Sequence, residues 1–401
     1  MFDLFKLHSE KDRPSGWIWV YFDCNLLKKH YKLLLKKNNQ NQIAKIISQK
    51  LNCGFSTIGK HLIKIKYGKN KIYFPLPVII ELVILVEANI KEEIIKLFQN
   101  FRIYTDTTSK ITNPVRNISN LLAKVIGSHL ADGSLSNNYH LVLCDNRKEL
   151  VKAYKSWIND LFNVEGKVRF DKKQNMYTYS LGNKIIGRYF EKIFDIKVGR
   201  KFDVACEPKI IKKSSLSIRK EFAKGVLNFD GGVKSTGMVA LTSMSKALID
   251  DVSEILRLDG IEVNKRYNKN KKSWLIESKS GRNKEYIAKL LVYFEEGTWK
   301  YKRLKFFLNK RKYKIEELTY LFPTHHLSKI NLTYLYKILS KMEKFKINDI
   351  MKKLKENKIK INNVTAYKYL FILEKAGLIY KKLENHIGPK NGWQETVYYL
   401  N

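Results

Sequence analysis

The chain has 401 residues, and its 76 Lys and Arg against 38 Asp and Glu give a formal net charge of +38 at pH 7. Such an excess is typical of proteins that bind a phosphate backbone and makes nucleic acid the first expected partner, the alternative being a coding bias that only enriches surface lysine. The four cysteines are far apart and form no CxxC pair, so the sequence indicates neither a disulfide framework nor a thiolate zinc site: Cys24, Cys53, Cys144 and Cys206.

The longest apolar run, residues 73–86, contains Pro75, Pro77 and Glu81 and is shorter than the about 20 residues that cross a bilayer. Asp3 and Lys6 do not fit a signal peptide. We therefore expect no membrane partner and a cytoplasmic, nucleoid-associated protein. The length fits three domains, which we place at residues 1–110, 111–310 and 311–401.

Residues 1–110 are predicted to be mostly helical, with a helix-turn-helix at residues 42–62. Four apolar residues share one face of its first helix: Ile43, Ala44, Ile47 and Leu51. Gly54 permits the turn, and Ser56 is expected to cap the second helix. Three polar side chains of that helix would face a DNA groove: Thr57, Lys60 and His61. The alternative is an ordinary helical hairpin. A further buried helix is predicted at Val78–Glu87.

Two similar motifs follow, after a polar segment, Thr105–Asn117, that is predicted to be a linker. VIGSHLADG at residues 125–133 returns as AKGVLNFDG at residues 223–231, and both end in an acidic residue followed by glycine. Asp132 and Asp230 are 98 positions apart, the length of one small α/β module. The pattern therefore indicates an internal duplication around a pseudo-two-fold axis.

The elements predicted after each motif also repeat. In the first half they lie at Tyr139–Cys144, Lys148–Phe162, Lys167–Leu181 and Ile185–Phe194. In the second half they lie at Met238–Thr242, Lys246–Leu258, Val263–Glu277 and Glu285–Phe294. Alternating strand and helix periods of this kind predict an α+β fold built from two αββαββα repeats.

The glycines and acids of the motifs predict a metal site. Gly127 and Gly225 each stand five residues before an acid, and a residue without Cβ lets two helices approach closely. Asp132 and Asp230 would then meet at the ends of the helix pair. Carboxylates suit Mg²⁺ or Mn²⁺, ions that activate water for displacement at phosphorus. His129 is expected to pack rather than to bind the ion. The predicted site consists of the acids and the glycines after them: Asp132, Asp230, Gly133 and Gly231.

The last domain is predicted to have three helices and then two strands, the order of a winged helix. The elements are placed at Leu335–Lys344, Ile347–Leu354, Val364–Ala376, Leu378–Leu383 and Glu395–Leu400. Thr365, Tyr367 and Lys368 would lie near the start of the recognition helix, with Lys390 on the wing. The alternative is a helical cap on the central domain. The pair His325-His326 has no acidic partner at ligand spacing, so no zinc site is predicted there.

On both motifs and the elements after them, residues 118–310 resemble the LAGLIDADG family of homing endonucleases in its single-chain, two-repeat form. The resemblance implies that the motif helices end at the scissile phosphates in the minor groove, while the strands form a β-saddle that reads the major groove. In the first half it implies DNA contacts from Ser136, Asn138, His140, Arg169, Asp171, Tyr177 and Tyr179. In the second half it implies contacts from Lys234, Thr236, Arg266, Tyr267, Lys271 and Trp274. Strand alternation will divide each set between groove and core.

The chain departs from the family's pattern at two places. Phe229 stands where a small residue is usual, which predicts a looser helix contact. Active members often place Gln-Lys or Asn-Lys after the early strand of each repeat, where this chain has Asp145-Asn146 and Ser243-Met244. Loss of a charge-stabilising donor lowers a rate by about 10² to 10³. The nearest lysines are expected to point elsewhere: Lys148 and Lys246.

These features predict a monomeric, site-specific endonuclease of the homing type. It would hydrolyse double-stranded DNA with a divalent metal ion and would be flanked by two DNA-binding domains. One alternative is a non-cleaving transcriptional regulator on a LAGLIDADG scaffold, which the unmatched lysines and the extra binding domains favour. Another is an RNA maturase, an activity that also occurs in the family. The retained pair of acids favours cleavage.

Overall fold

The computed structural model describes residues 2–8, 12–23, 25–68, 71–86, 103–105, 111–113, 115–279, 284–309, 311–323, 331–359, 361–386 and 393–401. It is a mixed α+β structure with antiparallel sheets. Internal contacts divide the chain into two compact units, Met1–Asp230 with Ser243–Ile255, and Gly231–Thr242 with Leu256–Asn401. Within the ranges just given, no helix is both long and apolar enough to cross a membrane.

The first unit begins with a four-stranded sheet where the sequence predicted mostly helix. Its strands, in the order β2-β1-β3-β4, are β1 Trp19–Asp23, β2 Lys71–Pro75, β3 Ile103–Thr105 and β4 Ile111–Thr112. Aromatic and β-branched residues in β1 suit a half-buried strand. The prediction of a linker at Thr105–Asn117 is wrong, because this segment contributes to two strands. Thr112 is buried and accepts a hydrogen bond from the Asn183 amide at 3.0 Å.

Within the described part of this region, four helices accompany the sheet: Asn25–Lys37, Gln40–Lys50, Phe55–Tyr67 and Leu76–Leu85. The predicted helix-turn-helix segment does form two helices. Its turn is carried by Asn52 at φ 45°, while Gly54 is extended and precedes the second helix. Ser56 is the second residue of that helix and not its cap, because the helix begins at Phe55. The third predicted helix begins two residues earlier than expected, at Leu76.

His61 does not face a groove as predicted. Its side chain is buried, with its ring 5.5 Å from those of Trp19 and Phe74. Burial, together with the charge of Lys64, lowers the pKa of His61 to about 4. The imidazole is therefore a neutral part of the core at physiological pH. On the same helix Lys60 is exposed and Thr57 is half-buried, so both remain candidates for DNA contact.

Both halves of the central region have the same order of elements. The first half has Asn120–Asp132, β5 Gly133–Leu135, β6 His140–Asp145, Lys148–Phe162, β7 Lys167–Asp171, β8 Met176–Gly182 and Lys184–Phe194. The second has Leu216–Phe229, β9 Gly231–Val233, β10 Val239–Ser243, Lys246–Leu258, β11 Val263–Asn268, β12 Ser273–Ser278 and Lys284–Leu291. A short helix, Lys209–Lys212, lies between the halves. The sheet orders β5-β6-β8-β7 and β9-β10-β12-β11 correspond strand for strand. The assembly of the two sheets into a saddle stays a prediction.

The hairpins that end the two sheets carry matching aromatic pairs. Phe170 faces Tyr177 with ring centroids 4.5 Å apart, and Tyr267 faces Trp274 at 4.9 Å. Both pairs are directly opposed in their antiparallel registers. Such cross-strand aromatic pairs contribute about 0.2–1 kcal/mol each. Their equivalent positions agree with an internal duplication.

The second unit ends in a helical region with a small sheet. Its helices are Trp299–Leu308, Ile315–Leu321, Leu332–Leu339, Ile347–Glu356 and Asn363–Lys375. Its strands, in the order β13-β15-β14, are β13 Lys344–Phe345, β14 Ile379–His386 and β15 Trp393–Leu400. The helix predicted at Leu335–Lys344 is wrong at its end, because it stops at Leu339 and Lys344 pairs with Tyr399 in the sheet. The use of this region as a winged helix on DNA stays a prediction.

Candidate active site

The helices Asn120–Asp132 and Leu216–Phe229, here called the first and second motif helices, are in backbone contact. A Cβ added at Gly127 would lie less than 3.0 Å from the Phe222 carbonyl oxygen, and one added at Gly225 would lie equally close to the Lys124 carbonyl oxygen. Only glycine allows this approach. The predicted loosening by Phe229 is wrong, because that side chain is buried and the helices still touch at their glycines.

The carboxyl groups of Asp132 and Asp230 meet at the ends of these helices, within hydrogen-bonding reach of each other. Burial is the largest of the effects that together raise the pKa of Asp132 to about 7. The negative charges of Asp230 and Asp145 act in the same direction, and Arg147 opposes them. Two carboxylates held this close cannot both ionise without a compensating cation. The sequence prediction that the two acids meet therefore agrees with their placement.

Lys201 supplies a positive charge beside the two acids. Its side chain is buried, and its ammonium donates to the carbonyl oxygen of His129 and, at 2.8 Å, to that of Leu130. It thus closes the C-terminal end of the first motif helix, where unpaired carbonyls favour a cation. Burial lowers the pKa of Lys201 to about 8, although the charges of Asp230 and Asp132 act to raise it.

Arg147 plays the corresponding part at the second motif helix. Its guanidinium donates to the carbonyl oxygens of Asn228 at 3.1 Å and Phe229 at 3.0 Å. The same guanidinium forms an ion pair with the buried Asp145 carboxylate. Each motif helix therefore ends on a buried or half-buried cation next to an acid.

Sequence reasoning missed both cations. It looked for a basic residue directly after β6 and β10, where Asp145-Asn146 and Ser243-Met244 stand. Arg147 is one position beyond that pair, and the segment between the repeats that contains Lys201 has no motif. The prediction that the nearer lysines point elsewhere agrees with the structure: Lys148 lies over the Tyr177 ring, and Lys246 pairs with Asp250 at 3.0 Å.

His129 is packed beneath the acids, as expected. It is fully buried, with Nδ1 3.1 Å from the Tyr154 hydroxyl and its ring 4.9 Å from that of Phe190. Burial and the Lys201 charge hold the pKa of His129 well below its usual range. A Cβ at Gly133 would collide with the His129 ring, which explains the glycine after Asp132. Metal ligation by Gly133 and Gly231 stays a prediction.

No family model and no curated protein matches the chain. Solved structures do. Variants of the homing endonuclease I-DmoI match at 17% identity and TM-score 0.35, over 44% of this chain and 98% of that chain. The homing endonuclease I-WcaI bound to its DNA recognition sequence matches at 14% and 0.33, over 57% and 97%. The N-terminal LAGLIDADG domain of DUF199/WhiA matches at 11% and 0.32, over 45% and 83%.

The three solved structures named above are LAGLIDADG proteins. The roles of individual residues rest on contacts within this chain.

The sheet of the first repeat, β5–β8, here called the first repeat sheet, has one open face and one face covered by helices. Leu141, Leu143 and Asp145 of β6 are buried, so the residues that alternate with them point to the open face. That face carries two of the predicted DNA contacts, His140 and Arg169, both exposed. It also carries side chains that the sequence analysis did not select: Val142, Cys144, Lys167, Thr178 and Ser180.

Two tyrosines predicted to contact DNA from this sheet lie on its covered face. Tyr179 is fully buried, with its ring 5.4 Å from that of Tyr154, so the prediction is wrong for this residue. Tyr177 has the same parity on β8 and lies under Lys148 of the helix Lys148–Phe162. The prediction assigned these two tyrosines to the wrong one of the two alternating faces of β8. The remaining candidates are exposed in turns or at strand ends: Ser136, Asn138 and Asp171.

The side chains of the second repeat sheet, β9–β12, are also divided between two faces. Arg266 and Lys234 both pair with the Glu277 carboxylate, Arg266 at 3.3 Å, and so share one face of the sheet. Trp274 has the parity of the buried Ile276 and lies beside Lys265 on the other face, which corrects its assignment to the groove. Two candidates are exposed in turns: Thr236 and Lys271.

The candidates in the last domain are placed unevenly. Thr365 is half-buried, and its backbone N–H donates to the Asn362 side chain at 2.8 Å, while Tyr367 is 49% exposed. Partial burial and the nearby charge of Arg303 lower the pKa of Lys368. Two sequence predictions lie outside the described residues: the wing residue Lys390 and the pair His325-His326.

A second acidic cluster, Glu207, Asp251 and Glu254, has the spacing of a metal site but is filled by cations. Arg219 donates to Glu207 at 2.9 Å and to Glu254 at 2.8 Å, and Lys212 donates to Asp251 at 2.7 Å. Charge-assisted bonds of this kind hold the residues together without an ion. The cluster ties the second motif helix to its neighbours through these ion pairs.

Proposed function

We propose that the chain is a divalent-metal-dependent endonuclease that cleaves both strands of double-stranded DNA at a specific site. The observation that carries the proposal is the meeting of Asp132 and Asp230 at the ends of two helices in backbone contact. Two adjacent carboxylates repel each other, and this repulsion opposes folding. A pair of acids retained at such a cost is typical of a functional site.

The residues present fit a hard cation. The donor set is two carboxylates within hydrogen-bonding reach of each other, and carboxylate oxygens are the ligands that hard divalent cations prefer. We propose Mg²⁺ or Mn²⁺ as the ion. When bound, it would supply activation of water and stabilisation of charge on the phosphate.

The protein's own groups would hold the phosphate and its charge in place. Lys201 would keep the first motif helix closed and place its ammonium beside the acids. Arg147 would fix the end of the second motif helix and neutralise Asp145, which otherwise adds to the negative charge around Asp132. Both cations would thus take the part that a lysine after the early strand plays in the family pattern.

Binding to duplex DNA is supported by the net positive charge of the chain and by the open face of the first repeat sheet, β5–β8. The net charge of +38 favours a polyanion, and Arg169 and His140 are exposed on the open face. Polar contacts from such side chains to base edges discriminate by about 1–3 kcal/mol each. We further propose that the helical segment containing Lys60 and the last domain containing Lys368 extend the contacted site, and that the protein acts as a monomer.

The test is incubation of the full chain with a randomised duplex library in Mg²⁺ or Mn²⁺, with cleaved ends recovered by sequencing. We expect cuts at one class of site for the native protein and none for Asp132→Asn or Asp230→Asn. Asp160→Asn is the matched control, because Asp160 is an exposed carboxylate on the helix Lys148–Phe162. Native protein that binds the duplex tightly and leaves it intact would contradict the proposal.

A second candidate function is a non-cleaving DNA-binding regulator. It is favoured by the last residues of β6 and β10, Asp145 and Ser243, which make local turn contacts to Arg147 and Ser245 instead of presenting a lysine. A regulator would give site-specific protection of the same library without cut ends. A maturase would instead bind a folded intron RNA more tightly than duplex DNA.

A further inference from the structure

A strongly basic segment lies outside both repeats. Eight of the sixteen residues from Trp299 to Lys314 are Lys or Arg, and none is Asp or Glu. The first ten residues of the segment form the helix Trp299–Leu308, and the helix Ile315–Leu321 follows the segment. All of it belongs to the second unit.

Part of this charge points inward and holds the fold. The Arg303 guanidinium donates to the carbonyl oxygens of Leu321 at 2.7 Å and Val233 at 2.5 Å and stacks 4.3 Å from the Trp299 ring. Its burial lowers the pKa of Arg303 to about 10. Lys300 is also buried. These two cations are therefore explained by structure.

The other part points outward and lines a groove of about 600 Å³ that is open to solvent. Lys302 and Lys305 are exposed on one face of the helix, three residues apart and so about 4.5 Å apart along its axis. Arg311 adds a third cation from the following turn. Two tyrosines, Tyr313 and Tyr320, complete the charged and aromatic lining.

The positive charge of the groove is only partly neutralised from within, because its acid pairs with Arg311 and not with the two lysines. The one acid in its lining, Glu317, already accepts from the Lys314 backbone and from Arg311, both at 3.0 Å. Among the residues that the structure describes, no carboxylate pairs with Lys302 or Lys305. Their ammonium groups lie instead near aromatic rings, Lys302 at 5.7 Å from Tyr320 and Lys305 at 5.6 Å from Tyr301.

We infer that this groove binds the phosphate backbone of duplex DNA and supplies affinity that does not depend on sequence. Exposed lysines along one helix face suit successive phosphates of a strand, whereas a small anion is usually held by converging donors in an enclosed site. The tyrosines would pack against the sugars between the phosphates. The inference rests on the proposed function only in that the chain must bind duplex DNA.

The test measures binding of the full chain to a labelled duplex of random sequence in EDTA, as a function of salt. The double variant Lys302→Gln/Lys305→Gln removes two groove cations, and Lys284→Gln/Lys289→Gln removes two cations from the helix Lys284–Leu291 as the matched control. Each phosphate contact contributes about 0.9 to the slope of log K against log salt. We expect the groove variant to lose about 2 from the slope and the control to keep the native slope.

The outcomes separate the two proposals. Native protein that does not bind the duplex would overturn both. Native binding with the same slope in the groove variant would overturn the groove alone. The duplex assignment would also fail if the variant lost affinity only for an RNA hairpin, or if inorganic phosphate raised the melting temperature of the native protein and not that of the variant.

Discussion

The contact between the two motif helices predicts a large effect from one methyl group. In Gly127→Ala the new Cβ would lie less than 3.0 Å from the Phe222 carbonyl oxygen, 3.0 Å from its carbon and 3.2 Å from the Val226 nitrogen. These are backbone atoms, so the clash is relieved only if the helices separate. Overpacking costs about 1–3 kcal/mol, and a clash with backbone atoms lies in the upper part of that range, at about 2–3 kcal/mol. The helix propensity of alanine returns about 1 kcal/mol of this cost. We expect a net local loss of about 1–2 kcal/mol.

Amide hydrogen exchange read by mass spectrometry measures this loss locally. Peptides from Asn120–Asp132 should exchange about 5- to 30-fold faster in Gly127→Ala than in the native protein. Gly59→Ala is the control, because Gly59 is also helical but has no atom within 4 Å of its added Cβ. That variant should leave exchange in its own helix unchanged or slower. Equal protection in both variants would refute the claim that the motif helices touch at their glycines.

Three further predictions follow from the site. Lys201→Met should lower the cleavage rate by about 10² to 10³, and Lys201→Arg should restore part of that rate. The exposed control Lys197→Met should cleave at the native rate. An unchanged rate in Lys201→Met would show that Lys201 does not act in the site. The pKa of Asp132 is raised from 3.8 to about 7 in the native state, so its contribution to stability is complete below pH 3.8 and is lost as the pH rises through 7. The free energy of unfolding of the metal-free native protein should therefore fall by up to about 4 kcal/mol between these pH values. This loss should appear as a fall in Tm from pH 5 to pH 8, and Asp132→Asn should remove most of it. An equal fall in Tm in the native protein and in the variant would contradict the raised pKa. Tyr179→Phe should change neither the affinity for duplex DNA nor the stability of the protein, because the buried hydroxyl has no hydrogen-bond partner among the described residues. Arg169→Gln should weaken duplex binding, because Arg169 is exposed on the open face. A larger loss of duplex affinity in Tyr179→Phe than in Arg169→Gln would contradict the assignment of the open face.

The repeats and their acids could be predicted because the signals are local. Helix and strand periods fixed elements such as Lys148–Phe162 and Lys246–Leu258 to the residue. The pairing of glycine and acid in two motifs predicted the close helix contact and the meeting of Asp132 with Asp230. Both depend only on the period of a helix and on the absence of a Cβ.

The features that could not be predicted depend on contacts between distant segments. The sheet of β1–β4 pairs Trp19 with Pro75 and with Thr105, which are distant in the sequence. Its strand Ile111–Thr112 is too short to give a strand pattern in the sequence. Lys201 reaches the acids from a segment without regular structure, so its role follows from tertiary packing alone. The assignment of Tyr179 failed because a shift of one residue in strand phase exchanges groove and core.

The most direct measurement of the central claim is a Mn²⁺ titration of the metal-free full chain followed by electron paramagnetic resonance. If Asp132 and Asp230 share one cation site, the native protein and the Asp160→Asn control will show a tight Mn²⁺ site that is lost in both Asp132→Asn and Asp230→Asn. The same binding curve in the native protein and in these two variants would contradict the account.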